Sequence, residues 1–192
     1  MIKVEIWASG GGTNADKIMQ HFADHSYITI ASLPSNRKQA GAFSVADKHS
    51  VPSVYFSKAA WTPTEVLRQL NERKIDYIVL AGFLKLVPPH VIAKYTGKII
   101  NIHPSLLPEY GGEGMYGEHV HNAVLANNES VTGITIHEVN EAYDKGKILA
   151  QYATRLTPGD DLSSVKNKIQ SLEHSNFAST IEAWIASKTR VL

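Results

Sequence analysis

Ile2-Lys3-Val4-Glu5-Ile6-Trp7-Ala8-Ser9-Gly10-Gly11-Gly12-Thr13-Asn14 is the stretch on which the fold turns. Ile2 to Trp7 alternates with the period of a strand. Three glycines follow, and then Ile18, Met19 and Phe22 recur at helical spacing. A strand therefore leads through a tight turn into an amphipathic helix. The same rhythm continues outward. Tyr27 to Leu33 is β-branched and apolar and ends at Pro34-Ser35-Asn36, Lys38 to His49 reads as a helix, and Val54 to Phe56 as a short strand. Pro63 suits a first helical position and opens a helix to Arg73. Asp76 to Ala81 is almost wholly apolar, the pattern of a strand covered on both faces. Pro88-Pro89 starts a short helix, and Lys98 to His103 is a fifth strand. This βαβα order predicts an α/β protein with a mostly parallel sheet and helices on both faces.

After residue 104 the pattern changes. Ser105 to Gly117 is rich in glycine, proline and tyrosine and reads as a long loop, a feature usually kept for function in a compact domain. Val120 to Asn127 is a helix candidate. Thr132 to Val139 and Lys147 to Leu156 alternate as strands around a polar loop, which predicts an antiparallel edge pair. A long helix runs from Asp161 to about Ser187, with Asp160 and Asp161 placed to cap it. No repeat, linker or low-complexity segment interrupts the pattern, so residues 1–192 are expected to form a single domain.

Charges nearly balance, 19 Lys+Arg against 18 Asp+Glu, so no bulk field argues for nucleic acid or a membrane surface. There is no cysteine, which excludes disulfides, zinc–thiolate sites and thiol nucleophiles. The apolar run from Ile78 stops at Lys85, far short of the roughly 18 residues of a spanning helix. The amino-terminal stretch carries Glu5, unlike the apolar core of a secretory leader, so a cytoplasmic protein is expected.

The glycine run lies after a strand and before a helix, where backbone N–H groups and the helix dipole favour an anion. It is not a Walker A loop, since no Gly-Lys-Ser/Thr follows. Gly10, Gly12 and Ala15 fit the looser dinucleotide pattern, yet Ser32 to Arg37 lacks the acidic residue that would hold a ribose. Arg37 suits a 2′-phosphate, so an NADP-dependent reductase stays open, as does an ordinary turn.

Asn101-Ile102-His103-Pro104-Ser105-Leu106-Leu107-Pro108 is the most informative segment for chemistry. Strand alternation puts Asn101 and His103 on one face at the carboxyl end of a parallel strand, and Pro104 then turns the chain away. That end of an open α/β sheet is where ligands bind. An amide beside an imidazole suits a carbonyl reaction, in which an oxyanion needs donors and an amine must lose a proton. The bland alternative is a polar strand end facing water. Asp144, beside Gly146, is locally a turn residue. His137 ranks lower, because its side depends on unbroken alternation. His119 and His121 do not share a helix face, so a metal pair is not expected there.

Together, Ser9 to Asn14, Val79 to Lys85, Asn101 to Pro108, Asp144 and Gln170 to His174 resemble the glycinamide ribonucleotide formyltransferases, in order along essentially the whole chain. The Asn101 to Pro108 stretch is shared by folate-dependent formyltransferases. The Ser-Gly-Gly-Gly-Thr-Asn loop narrows the resemblance to the purine enzymes, since relatives acting on methionyl-tRNA or sugars differ there. The resemblance implies a Rossmann-like twisted sheet of five parallel strands with the edge pair. It implies formyl transfer from 10-formyltetrahydrofolate to glycinamide ribonucleotide without a metal, on small-molecule substrates, by a monomer or homodimer. Asn101, His103 and Asp144 would be catalytic. Gly11, Gly12, Thr13 and Asn14 would take the phosphate and Glu173 the ribose. Leu84, Lys85, Leu86 and Val87, with Asn140, Glu141, Ala142 and Tyr143, would line the folate pocket. The expected mechanism has the Asn101 amide and a protonated His103 stabilising the oxyanion, with Asp144 keeping His103 protonated. Two departures stand out. No arginine near Thr62 to Glu65 matches one that lies by the folate in some members, and Glu109 and Glu113 occupy a stretch where a cation would help a phosphate. A reductase using the glycine loop and a non-catalytic nucleotide-binding module are the rival readings.

Overall fold

The computed structural model describes residues 1–189. The chain falls into two compact units, Met1–Ile100 and the part from Asn101 onward. The hydrogen-bonded strand order is β3-β2-β1-β4-β5-β6-β7, a seven-stranded, mostly parallel sheet ending in an antiparallel pair. The α/β class and the edge pair expected from the sequence are both present. Among the described residues no helix is long and apolar enough to cross a membrane.

The first unit holds β1 (Ile2–Trp7), α1 (Thr13–His21), β2 (Ile28–Ser35), α2 (Ala42–Lys48), β3 (Ser53–Tyr55), α3 (Pro63–Arg73), β4 (Tyr77–Leu80) and α4 (Pro89–Lys94). β1 pairs in parallel with β2 and β4, and β2 with β3. All four residues of β4 are buried, as its continuous apolar run requires. Val4, Ile6, Ile18, Leu33, Leu70 and Val79 fill the core around it. Thr62 caps α3 by accepting from the Glu65 amide at 3.3 Å, with Pro63 opening the helix. Glu5 is fully buried and accepts from Trp7 Nε1 at 2.7 Å, Ser32 Oγ at 2.6 Å and Arg73 Nε at 2.8 Å. These three donors replace the water that the buried side chain gives up.

Several boundaries differ from the sequence reading by a residue or more, and two of the differences have a visible cause. β2 runs through Pro34 instead of ending there. Pro34 stands opposite Val54, and its carbonyl accepts from the Ala8 amide at 3.1 Å, so the ladder continues without the N–H that proline lacks. α2 starts at Ala42, not Lys38. The Ala42 amide donates to the Gly10 carbonyl at 3.0 Å, so the glycine loop decides where this helix begins.

The second unit holds α5 (Glu118–Ala126), β6 (Val131–Glu138), β7 (Ile148–Arg155) and α6 (Leu162–Thr189), while β5 (Ile99–His103) crosses the division in sequence. β6 is buried along most of its length and β7 alternates as an edge strand does. Their antiparallel register shifts between Ile136 and His137. Gly133 has no room for a side chain, since a Cβ would lie 2.1 Å from the Tyr152 carbonyl oxygen. α6 begins at a reciprocal cap: the Ser164 amide donates to Asp161 Oδ1 at 2.8 Å and the Asp161 amide to Ser164 Oγ at 2.9 Å. Val165, Ile169, Phe177, Ile181 and Trp184 form its buried stripe, with Leu172 only half-buried.

Candidate active site

β5 supplies Asn101 and His103, two residues apart on the same side, and His103 is buried. The loop between β6 and β7 brings Asp144 to them. Asp144 Oδ2 lies 3.5 Å from His103 Nδ1, and Asp144 Oδ1 lies 3.5 Å from His137 Nε2. Asp144 adopts φ 53, a left-handed conformation that aspartate tolerates better than most residues. Its Oδ2 also accepts from the Gly112 amide at 2.9 Å. The loop from Ser105 to Gly117 is irregular, as expected, but it is tied down. Thr135 Oγ1 donates to the Ser105 carbonyl at 2.7 Å and accepts from the Leu107 amide at 2.9 Å. Gln151 reaches the Leu107 carbonyl at 2.8 Å.

The hydrogen bonds assign the two rings. The Tyr110 carbonyl, 2.8 Å from His103 Nε2, can only accept, so Nε2 carries a proton. The Glu138 carbonyl, 2.9 Å from His137 Nδ1, likewise places a proton on Nδ1. The Asn101 amide nitrogen lies 3.2 Å from His137 Nε2, which also faces Asp144 Oδ1. That amide nitrogen carries two N–H groups, so one is left for a ligand. His137, which sequence reasoning ranked low, thus joins the site. The signal that hid it is the register shift at its own position.

Burial pushes the His103 imidazole below the ordinary histidine value. The Asp144 charge and the Tyr110 carbonyl act against burial, and His137 adds to it. Burial thus favours the uncharged ring, and with the proton on Nε2 the lone pair is on Nδ1, facing Asp144. That direction runs against the imidazolium expected from the sequence, and its cause is desolvation, which a sequence does not display. For Asp144, burial works to raise the carboxyl, but His137, the Gly112 amide and His103 outweigh it and hold it below the usual range.

Of the other residues singled out, the glycine loop lies in the first unit with α1 starting at Thr13. Gly12 has φ 82, and a Cβ there would sit 2.7 Å from Ala42 Cα, so only glycine fits. Ser9 is buried, donates to Asn36 Oδ1 at 2.6 Å and accepts from the Leu84 amide at 2.9 Å. This ties the loop to the segment that begins at Leu84. Leu84 and Leu86 are exposed, Val87 is buried, and Lys85 Nζ lies 4.8 Å from the Trp61 ring centre. Asn140, Glu141, Ala142 and Tyr143 are exposed on the loop that carries Asp144. Glu173 is half-buried on α6, and Glu109 and Glu113 are exposed.

An amide, an imidazole and a carboxylate gathered at a strand end of an α/β sheet suit an enzyme that works on a carbonyl. The sequence model of the formyl transferase family matches residues 2–181, and the chain belongs to that family. It is 36% identical over 188 residues to the chloroplastic phosphoribosylglycinamide formyltransferase of Arabidopsis thaliana, covering 94% of this chain but 64% of that protein. The match to phosphoribosylglycinamide formyltransferase of Bacillus subtilis is 32% over 197 residues, covering 99% of this chain and 98% of the relative. The crystal structure of phosphoribosylglycinamide formyltransferase from Bacillus halodurans superposes with a TM-score of 0.84 at 36% identity, over 93% of this chain and 92% of that one. The chain thus spans less than two thirds of the plant relative and nearly all of the bacterial one.

Proposed function

We propose that this chain transfers a formyl group from 10-formyltetrahydrofolate to the amino group of glycinamide ribonucleotide, acting as one formyltransferase domain in the cytoplasm, as a monomer or homodimer. The observation that carries the reading is the convergence of His103, His137 and Asp144 at 3.5 Å, with Asn101 tied to His137. The relatives named for this reaction, and their coverage of both units, supply the substrate.

The substrate amine attacks the formyl carbon, and the carbonyl becomes a tetrahedral oxyanion. The outward N–H of Asn101 donates to that oxygen. His103 takes the amine's proton at Nδ1, forming an imidazolium with acceptors on both sides, Asp144 and the Tyr110 carbonyl. The same proton passes to the folate nitrogen as its bond to the formyl carbon breaks, and the formyl group stays on the amine. His103 ends neutral, as it began. Gly11, Gly12, Thr13 and Asn14 take the phosphate on backbone and side-chain donors at the start of α1, with Glu173 on the ribose. Leu84, Lys85, Leu86 and Val87 in the first unit, and Asn140, Glu141, Ala142 and Tyr143 in the second, are the candidate folate contacts that the resemblance assigns.

The test is formyl transfer to glycinamide ribonucleotide followed by absorbance of the folate product, with NADPH and folate-analogue titrations alongside. Turnover with the folate and no response to NADPH is the expected result. Binding of NADPH without formyl transfer would replace this reading with a reductase.

A further inference from the structure

The residue that holds His103 by its Nε2 is itself held in an unusual way. Tyr110 has φ 55, and a bulky side chain rarely occupies that left-handed region unless its surroundings insist on it. Its phenol donates to Glu129 Oε1 at 2.6 Å and accepts from Asn127 Nδ2 at 3.0 Å, both just beyond α5. The backbone on either side is fastened as well. Ser105 Oγ donates to the Glu109 carbonyl at 2.6 Å, and the Gly112 amide donates to Asp144 Oδ2. Gly111 packs against Leu107 Cδ2, with Asp144 Cβ next to it. One short turn therefore grips the imidazole through a carbonyl and the carboxylate through an amide.

A neutral histidine has two tautomers, and the partner of one nitrogen decides what the other can do. If Nε2 lost its carbonyl, the proton could shift to Nδ1, where the Asp144 charge would hold it. The ring would then offer the substrate amine no lone pair at Nδ1. We infer that Tyr110 is a positioning residue: its phenol, anchored on Glu129 and Asn127, holds a strained carbonyl that reserves His103 Nδ1 as the proton acceptor. The inference deepens the proposed reaction and rests on His103 being its base. A half-buried tyrosine and the exposed glutamate that anchors it thus act on the chemistry through the backbone.

The experiment uses Tyr110→Phe, which keeps the ring and removes both hydrogen bonds, and Glu129→Gln, which weakens the anchor from its far end. ¹⁵N chemical shifts of the His103 ring report the tautomer directly, without substrate. The wild-type chain should show the proton on Nε2. Both variants should show a growing Nδ1-protonated fraction, with kcat lower by about tenfold and KM changed by less than about threefold, the mark of a lost transition-state group. Unchanged ring shifts in both variants would overturn the inference, whatever happens to the rate, because a merely structural anchor leaves the tautomer alone. His103→Ala separates the two levels. If that variant kept full turnover, the proposed base would fall, whereas unchanged ring shifts with an inactive His103→Ala remove only the role of Tyr110.

Discussion

Replacing Asp144 with asparagine isolates the electrostatics of the site. Asparagine tolerates φ 53 and still offers an oxygen to the Gly112 amide, so the loop should keep its shape. What disappears is the negative charge 3.5 Å from His103 Nδ1. Two unit charges at that distance interact by roughly 4–5 kcal/mol at an effective dielectric constant near 20. Asp144 keeps some contact with water and the imidazolium charge is spread over a ring, so about 2–3 kcal/mol is a reasonable share for the proton-bearing state. Removed from the transition state alone, that is a fall in kcat of roughly 30- to 150-fold. The pH profile carries the sign. His103 must be neutral to accept a proton, so kcat rises with pH through its pKa. Burial already holds that pKa below the ordinary value, and the Asp144 charge opposes burial. Taking the charge away should move the acid limb to lower pH while lowering the plateau. Absorbance assays across pH, with NMR titration of the His103 ring, measure both. A plateau within about threefold of wild type, or a titration that stays in place, would refute the reasoning and return Asp144 to the role of a turn former.

Three further outcomes are expected. His103→Ala should cut turnover by at least ~100-fold with substrate binding largely kept, read by steady-state rates beside equilibrium binding; a variant within threefold would remove it as the base. In the glycine loop the informative change is Gly11→Ala, because Gly11 has open space around it whereas a side chain at Gly12 would strike Ala42. Calorimetry should show weaker glycinamide ribonucleotide binding and unchanged folate affinity, and equal loss of both ligands would count against a phosphate site there. Glu5→Gln cannot satisfy the three donors that meet at Glu5, and leaves Arg73 short of its counter-charge. It should cost about 2–4 kcal/mol in urea unfolding and leave turnover per folded molecule unchanged; a loss under about 0.5 kcal/mol would mean water substitutes freely.

Local pattern was enough for the scaffold. The alternation of Ile2 to Trp7, the glycines behind it and the apolar run of β4 each announce their element, because strand and helix periods are properties of neighbouring residues. The pairing of Asn101 with His103 was legible for the same reason, since side chains two apart on a strand share a face. Boundaries set by distant partners were not legible. Pro34 remains in a strand because β3 and Ala8 receive it, and α2 begins where Gly10 accepts its first amide. The site was divided along the same line. Asp144 looks like any turn aspartate until the Gly112 amide and two imidazoles meet it, and His137 is reached only through a register shift that breaks the alternation its reading depended on. The charge state of His103 lay furthest from the sequence. Residue order supplies an imidazole and a carboxylate, but the balance between burial and a charge 3.5 Å away exists only once the chain has closed around both.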